Sequence, residues 1–390
     1  MRTVGTTARG IRLPIISAGD DLAPIVTDSV LSACGAEGIT LRDRDVVAIT
    51  EAIVAKSQRN FVTLDDIAAD IRAKFPEGEL GLAFPILSRN RFFNILKGVA
   101  RGVKRLHVLL SFPFDEVGNP IADPEAVFEM PTLPDGPIPL EEFEKLFPQY
   151  VHPFTGTDYR ALYQSAGENI QLWFGNNVTD ILKLTPYVLD ATIHMRERNR
   201  RRLEKSGAAR VLCLSDIMSA PVGGSGYNEN YGLLGSNLSS GEKLKLFPRD
   251  CSALIYAVQS ALKEKTGAEV EVMVYGDGAF KDPVCGIWEL ADPVVSPGYT
   301  RGLEGTPDEV KLKLVADDKF GNLSSEEKRT AIVQMLEEKR TQGAAVTEGT
   351  TPRRYTDLLG SLCDLVTGSG DKGTPVVLIQ GYFDNYGDEA

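Results

Sequence analysis

Short apolar runs, each closed by a small polar residue or glycine and then an acid, recur along the chain. Val46-Val-Ala-Ile49 runs into Thr50-Glu51, Val211-Leu-Cys-Leu214 into Ser215-Asp216, and Val272-Met-Val-Tyr275 into Gly276-Asp277. Continuous apolar runs of this length predict buried strands. Ile11 to Ile16, His107 to Leu110 and Val376 to Gln380 predict further strands. Between them the spacing changes to a helical one. Gly19-Asp-Asp21 opens a helix to about Cys34, and Ile53 to Lys56 reads as a turn or helix. Thr63 stands as an N-cap with Asp66 at the capping-box position. Helical spacing also covers Phe92 to Lys104, Asp158 to Phe174 (Leu162, Ala166, Ile170 and Trp173 on one face), Val188 to Lys205, and Leu323 to Arg340. Ser252 to Thr266, closed by Gly267, and Tyr355 to Val366 complete the set. Residues 112–155, rich in proline and acids, read as loop or linker. The expectation is a mixed α/β chain of the α+β class.

Composition narrows the functions. The chain has 390 residues, enough for two domains or one enlarged domain. Its 42 basic and 54 acidic residues leave a net charge of -12, which argues against a general binder of nucleic acid or anionic membrane. No apolar run approaches the roughly 18 residues of a membrane span, and the N-terminal stretch lacks the apolar core of a signal peptide. Cys34, Cys213, Cys251, Cys285 and Cys363 are widely spaced, with no metal-binding pattern. A reducing cytoplasm is the expected location. His107, His152 and His194 share no metal-ligand spacing either. The basic run Arg196, Arg198, Arg200, Arg201 and Arg202 spreads around its helix and reads as a solvated face or subunit contact.

Three strand ends could carry chemistry. If Glu51, Asp216 and Asp277 converged, their oxygens would suit a divalent cation such as Mg2+ or Mn2+. Each alone also fits a turn or cap acid. Asp277 stands apart, because glycines on both sides free its backbone for close approach. Lys281 and Asp282 follow it directly as candidate catalytic residues. The segment Thr367-Gly-Ser-Gly-Asp-Lys-Gly-Thr374 could turn peptide N–H groups onto a phosphate, with Lys372 adding charge. Lys245 and Arg249 are candidates for an anionic substrate, or a solvated basic edge.

Four segments together resemble the coenzyme F420-0:γ-glutamyl ligase family. They are Leu13-Pro-Ile-Ile16 with Gly19-Asp-Asp-Leu22; Asp45 to Lys56; Gly232 to Asn237 with the Asp277 strand after it; and Thr367 to Pro375 with the strand that follows. The resemblance implies a two-part fold, with residues 1–60 and 231–390 as the ligase-like core and 61–230 as an insertion or additional α/β domain. It implies joining of a carboxylate to an amine (glutamate in the family), with GTP or ATP as co-substrate and a divalent cation, in a homodimer. Carried across residue by residue, the nucleotide-contacting positions are Leu13, Pro14, Ile15, Ile16, Lys56, Asn237, Gly368, Ser369, Gly370, Asp371, Lys372, Gly373 and Thr374. Asp277 matches a metal ligand. The family's other metal acids correspond to Leu234 and Ser369, so Glu51, Asp216 and Asp282 are the acids that would replace them. Two other readings stay open: a non-catalytic relative that binds a nucleotide or anion, and a different small-molecule enzyme on the same scaffold.

Overall fold

The structure, a computed structural model, describes residues 4–276, 280–281, 288–289, 295–306, 311–342, 353–367 and 372–384. The chain divides into two units. The first comprises Met1–Val54, Asp250–Asp277 and Val294–Ala390; the second comprises Ala55–Arg249 and Gly278–Pro293. Helices and mixed sheets occur together, an α+β fold. No helix among the described residues is long and apolar enough to cross a membrane.

In the first unit a five-stranded sheet has the order Thr7–Ile11, Val376–Gln380, Val46–Thr50, Glu271–Tyr275, Gly298–Tyr299. Val46–Thr50 and Glu271–Tyr275 are parallel; Val376–Gln380 is antiparallel to both its neighbours. The central strands are buried on both faces, which is why they read as unbroken apolar runs. Val47, Ile49, Val272 and Val274 pack with Val26 and Val30 of the Leu22–Glu37 helix and Val258 and Leu262 of the Ser252–Thr266 helix. Ala48, Met273 and Val377 pack on the other face with Leu359 and Cys363 of the Tyr355–Thr367 helix. Asp21 caps the first of these helices by accepting from Ala23 N–H at 3.2 Å. The N-terminal strand ends at Ile11, short of Ile16. Pro14 has no N–H for a ladder, and Ile15 is 92% exposed.

The second unit holds a six-stranded sheet, in the order Ile138–Pro139, Ile170–Phe174, Arg105–Leu110, Glu79–Ala83, Tyr187–Asp190, Arg210–Cys213. All are parallel except the first. Ile67, Ile71 and Val99, from the helices Leu64–Lys74 and Phe92–Gly102, cover Leu80, Leu82 and Val108. Ile181 and Leu203 pack against Ala83, Leu109 and Val188 on the opposite face. The result is a doubly wound parallel sheet.

Two helices expected from the sequence are strand and helix combined. Asp158 to Phe174 is the helix Tyr159–Gln164 followed by the strand Ile170–Phe174, where Ile170, Leu172 and Phe174 are buried around an exposed Gln171. That is a period of two, which the wider helical spacing masked. Val188 to Lys205 is the strand Tyr187–Asp190 and the helix Arg196–Lys205. Within 112–155, expected as loop, lie the helices Pro124–Phe128 and Leu140–Leu146 and the edge strand Ile138–Pro139.

Candidate functional site

Register fixes one edge of the first unit's sheet. Thr50 and Tyr275 are partners at the ends of parallel strands, so Glu51 and Gly276 leave the sheet side by side. Val376, the first residue of its antiparallel strand, pairs with both Ile49 and Ile11. The chain after Ile11 therefore exits at the same edge at which residues 372–375 arrive. Thr50 N–H donates to the Pro375 carbonyl at 2.9 Å, which ties that arriving segment to the Val46–Thr50 strand. Leu13 to Ile16, Glu51 and Lys372 to Thr374 thus flank one sheet edge, outside the carboxyl ends of the parallel strands, where ligands of α/β proteins sit.

The side chains there have distinct characters. Glu51 is a carboxylate at 3% exposure at the start of the Glu51–Ser57 helix. It lies close enough to Cys251 to help push that thiol up to about 12; burial is the main cause, then Asp250, then Glu51. Cys251 stays a thiol and offers no nucleophile. Thr374 Oγ1 is buried without a hydrogen-bond partner. The backbone here is tight: a Cβ on Gly10 would come within 2.9 Å of the Thr374 side chain. Gly373 has φ +66°, and Lys372 is exposed, its Nζ 3.4 Å from the Val366 carbonyl. Asp277, Asp282, Gly368, Ser369, Gly370 and Asp371 lie outside the described residues. Lys281 is described by its backbone alone, in the Phe280–Lys281 strand. Among the described residues no three His, Cys, Asp or Glu side chains group as a metal site.

The remaining expected residues belong to the second unit. Lys56 is exposed in the last turn of its helix. Asn237 and Lys245 are register partners across an antiparallel pair, and Lys245 also pairs with Phe61. Arg249 is fastened to Gln58: its N–H donates to Oε1 and its Nη2 to the Gln58 carbonyl, both at 2.7 Å. The segment that follows Lys56 therefore gathers Asn237, Lys245 and Arg249 around itself. Asp216 is employed differently. Its Oδ2 accepts from Cys213 N–H at 2.7 Å and from the Arg200 guanidinium. Those donors give Asp216 a capping and ion-pairing role.

A fourth strand ending in an acid lies in the stretch whose spacing predicts a helix from Val188 to Lys205. Tyr187-Val-Leu-Asp190 ends in a fully buried carboxyl whose pKa is pushed up to about 7, mainly by burial. Thr192 Oγ1 donates to its Oδ2 at 2.9 Å. The described cysteines, Cys34, Cys213, Cys251 and Cys363, are all buried and free.

No curated protein matches this sequence. The family model described as F420-0:Gamma-glutamyl ligase matches residues 10–381, a stretch that takes in every segment of the sheet edge. The chain therefore belongs to the F420-0:gamma-glutamyl ligase family, whose name is that of ligases joining a carboxylate to an amine.

Proposed function

We propose that the chain is a nucleotide- and divalent-metal-dependent ligase that forms an amide between a substrate carboxylate and an amine, with glutamate as the amine and a homodimer as the working form. The observation that carries the reading is the meeting of residues 12–16, Glu51, Gly276 and residues 372–375 at one edge of a sheet. Asp277 is the next residue after Gly276 in the chain.

The groups at this edge suit their assigned ligands. Glu51 is a hard oxygen donor held at the end of a buried strand, as a Mg2+ or Mn2+ ligand needs to be. With Asp277 it would hold the cation. The unmet hydroxyl of Thr374 and the positive φ of Gly373 suit a loop that donates to phosphate oxygens. Lys372 supplies positive charge, and exposed Ile15 offers an apolar surface for a base. Lys281 and Asp282, just beyond Asp277, are assigned to the reacting phosphate and the incoming amine. When bound, the cation neutralises charge as a phosphoryl group passes to the substrate carboxylate. The chain's own task is to hold that carboxylate and the amine in line and dry.

The test is release of phosphate from GTP or ATP, with Mn2+ or Mg2+ present, across a panel of small carboxylic acids with and without glutamate. Glutamate-dependent release supports the reading. Absence of release with every nucleotide, metal and acid, from protein shown to be folded, removes it.

One observation favours a second reading. Leu234, which the resemblance pairs with a metal-binding acid of the family, is 2% exposed within an apolar core. A protein that binds nucleotide without turning it over would retain the loop and lose that acid. Saturable nucleotide binding without phosphate release separates this reading from the first.

A further inference from the structure

On the basis of the ligase reading of this sheet edge, we propose that Tyr275 is a positioning residue for the nucleotide: its hydroxyl, through Thr367, fixes the chain at the start of the segment that carries Lys372 and Thr374. Tyr275 is the last residue of the Glu271–Tyr275 strand and is 3% exposed. A tyrosine hydroxyl carried to that depth needs a hydrogen-bond partner. It donates to Thr367 Oγ1 at 3.3 Å.

Helix geometry brings Thr367 to this place. Leu359, Cys363 and Thr367 follow one another at i, i+4 spacing along one face of the Tyr355–Thr367 helix. Leu359 and Cys363 belong with Tyr275 to one buried cluster. Thr367 continues that face by one turn, where the Tyr275 hydroxyl meets it. Thr367 Oγ1 in turn donates to the Cys363 carbonyl at 2.9 Å, among the last carbonyls of the helix. One hydroxyl therefore accepts from the strand and donates to the helix.

The far end of the segment is fastened to the neighbouring strand. Thr50, the register partner of Tyr275, donates its N–H to the Pro375 carbonyl at 2.9 Å. Thr367 and Pro375 are thus held by the last residues of two parallel strands, which run about 4.8 Å apart. Fixing both ends of a short segment removes chain entropy that a ligand would otherwise have to remove on binding. The same two strands lead into Glu51 and Asp277. Tyr275 acts through Thr367, while its own ring stays in the core.

The test measures binding of GTP and of ATP calorimetrically, each with Mn2+ or Mg2+, to the full chain and to Tyr275→Phe, Thr367→Val, Thr367→Ser and the double variant Tyr275→Phe/Thr367→Val. Tyr275→Phe should weaken nucleotide binding about fivefold, the worth of one neutral hydrogen bond. Thr367→Val should weaken it at least as much, and Thr367→Ser should match the parent. The double variant should bind no more weakly than Thr367→Val, because both changes break the same link. A purely structural role would lower the melting temperature of Tyr275→Phe and leave its nucleotide affinity within about twofold of the parent. That result, or additive losses in the double variant, overturns the role of Tyr275 and leaves the ligase reading standing. If the folded parent binds no nucleotide–metal pair, the ligase reading is removed and the role of Tyr275 falls with it.

Discussion

Thr50 and Tyr275 are register partners at the carboxyl ends of two parallel strands, so Glu51 and Gly276 emerge from the sheet as neighbours. This pairing turns a motif scattered over the sequence into a place. Asp277 follows Gly276 by one residue, and the 372–375 segment is tied to the same edge through the Pro375 carbonyl and Thr50 N–H. Substituting Glu51 tests the arrangement. Glu51→Gln keeps the shape of the buried side chain and removes its charge. Apparent Mn2+ affinity should fall by about tenfold or more, as loss of a charged ligand predicts. Mn2+ titration in the presence of GTP reads the change; equal affinity in both proteins would separate Glu51 from the metal.

Asp190 predicts an unusual pH dependence. Its carboxyl is raised to about 7 in the folded chain, against about 3.9 for an unfolded aspartate. The folded state therefore holds the proton more tightly. Stability is greatest below about pH 4 from this group and is lost as the pH rises toward 7. Asp115, raised to about 6 by burial, acts in the same direction. Asp190→Asn preserves a carbonyl acceptor for Thr192 and removes the titration. Urea midpoints measured near pH 5 and pH 7.5 should differ less in the variant than in the parent. An equal difference would show that Asp190 does not hold its proton in the folded chain.

Thr63 joins two elements of the second unit. Its Oγ1 accepts from Asp66 N–H at 3.1 Å, while its own N–H donates to Asp66 Oδ2 at 2.8 Å. Thr63→Ala removes half of this capping box and should cost about 1 kcal/mol. Equilibrium urea denaturation measures it, with Thr63→Ser expected to recover most of the loss.

Gly232 occupies a position closed to any side chain. Its φ is +51°, and a Cβ would fall 2.3 Å from the Ile217 carbonyl oxygen and 2.6 Å from that of Ser215. Those contacts are backbone and cannot swing aside. Gly232→Ala should destabilise the fold by about 3 kcal/mol or more. A melting temperature within a degree of the parent would contradict the packing described.

Leu234→Asp puts an acid at the position that the resemblance pairs with a metal-binding acid of the family. The side chain is 2% exposed among apolar neighbours, so the carboxylate would be desolvated without a partner. A loss of about 3 kcal/mol or more is expected, with no gain in Mn2+ affinity. A stable variant with tighter Mn2+ binding would move the metal site to this position.

Much of this was legible in the sequence because the central strands are buried on both faces and so appear as continuous apolar runs. Val46–Thr50, Glu271–Tyr275 and Val376–Gln380 were found for that reason. Asp21, Thr63 and Gly267 marked helix ends through side-chain acceptors or a left-handed turn, which are local properties. The meeting of strand ends was not legible, since it depends on register between segments more than 200 residues apart. The doubly wound sheet was concealed where short strands abut helices. Ile170–Phe174 and Tyr187–Asp190 each merged with a neighbouring helix into one apparent helical stripe, and Asp190 disappeared with them. Asp216 shows the limit of the strand-then-acid pattern, because Arg200 and Cys213 N–H use its carboxylate within the fold.

The central claim is that the residues at the sheet edge, together with Asp277, the next residue in the chain after Gly276, bind a nucleotide with a divalent cation. The most direct measurement is the thermal melting of the parent and of Asp277→Ala with GTP or ATP, each with Mg2+ or Mn2+ and each without. The account predicts that at least one nucleotide–metal pair raises the melting temperature of the parent and that Asp277→Ala abolishes the rise. No shift with any pair, or an equal shift in Asp277→Ala, would contradict it.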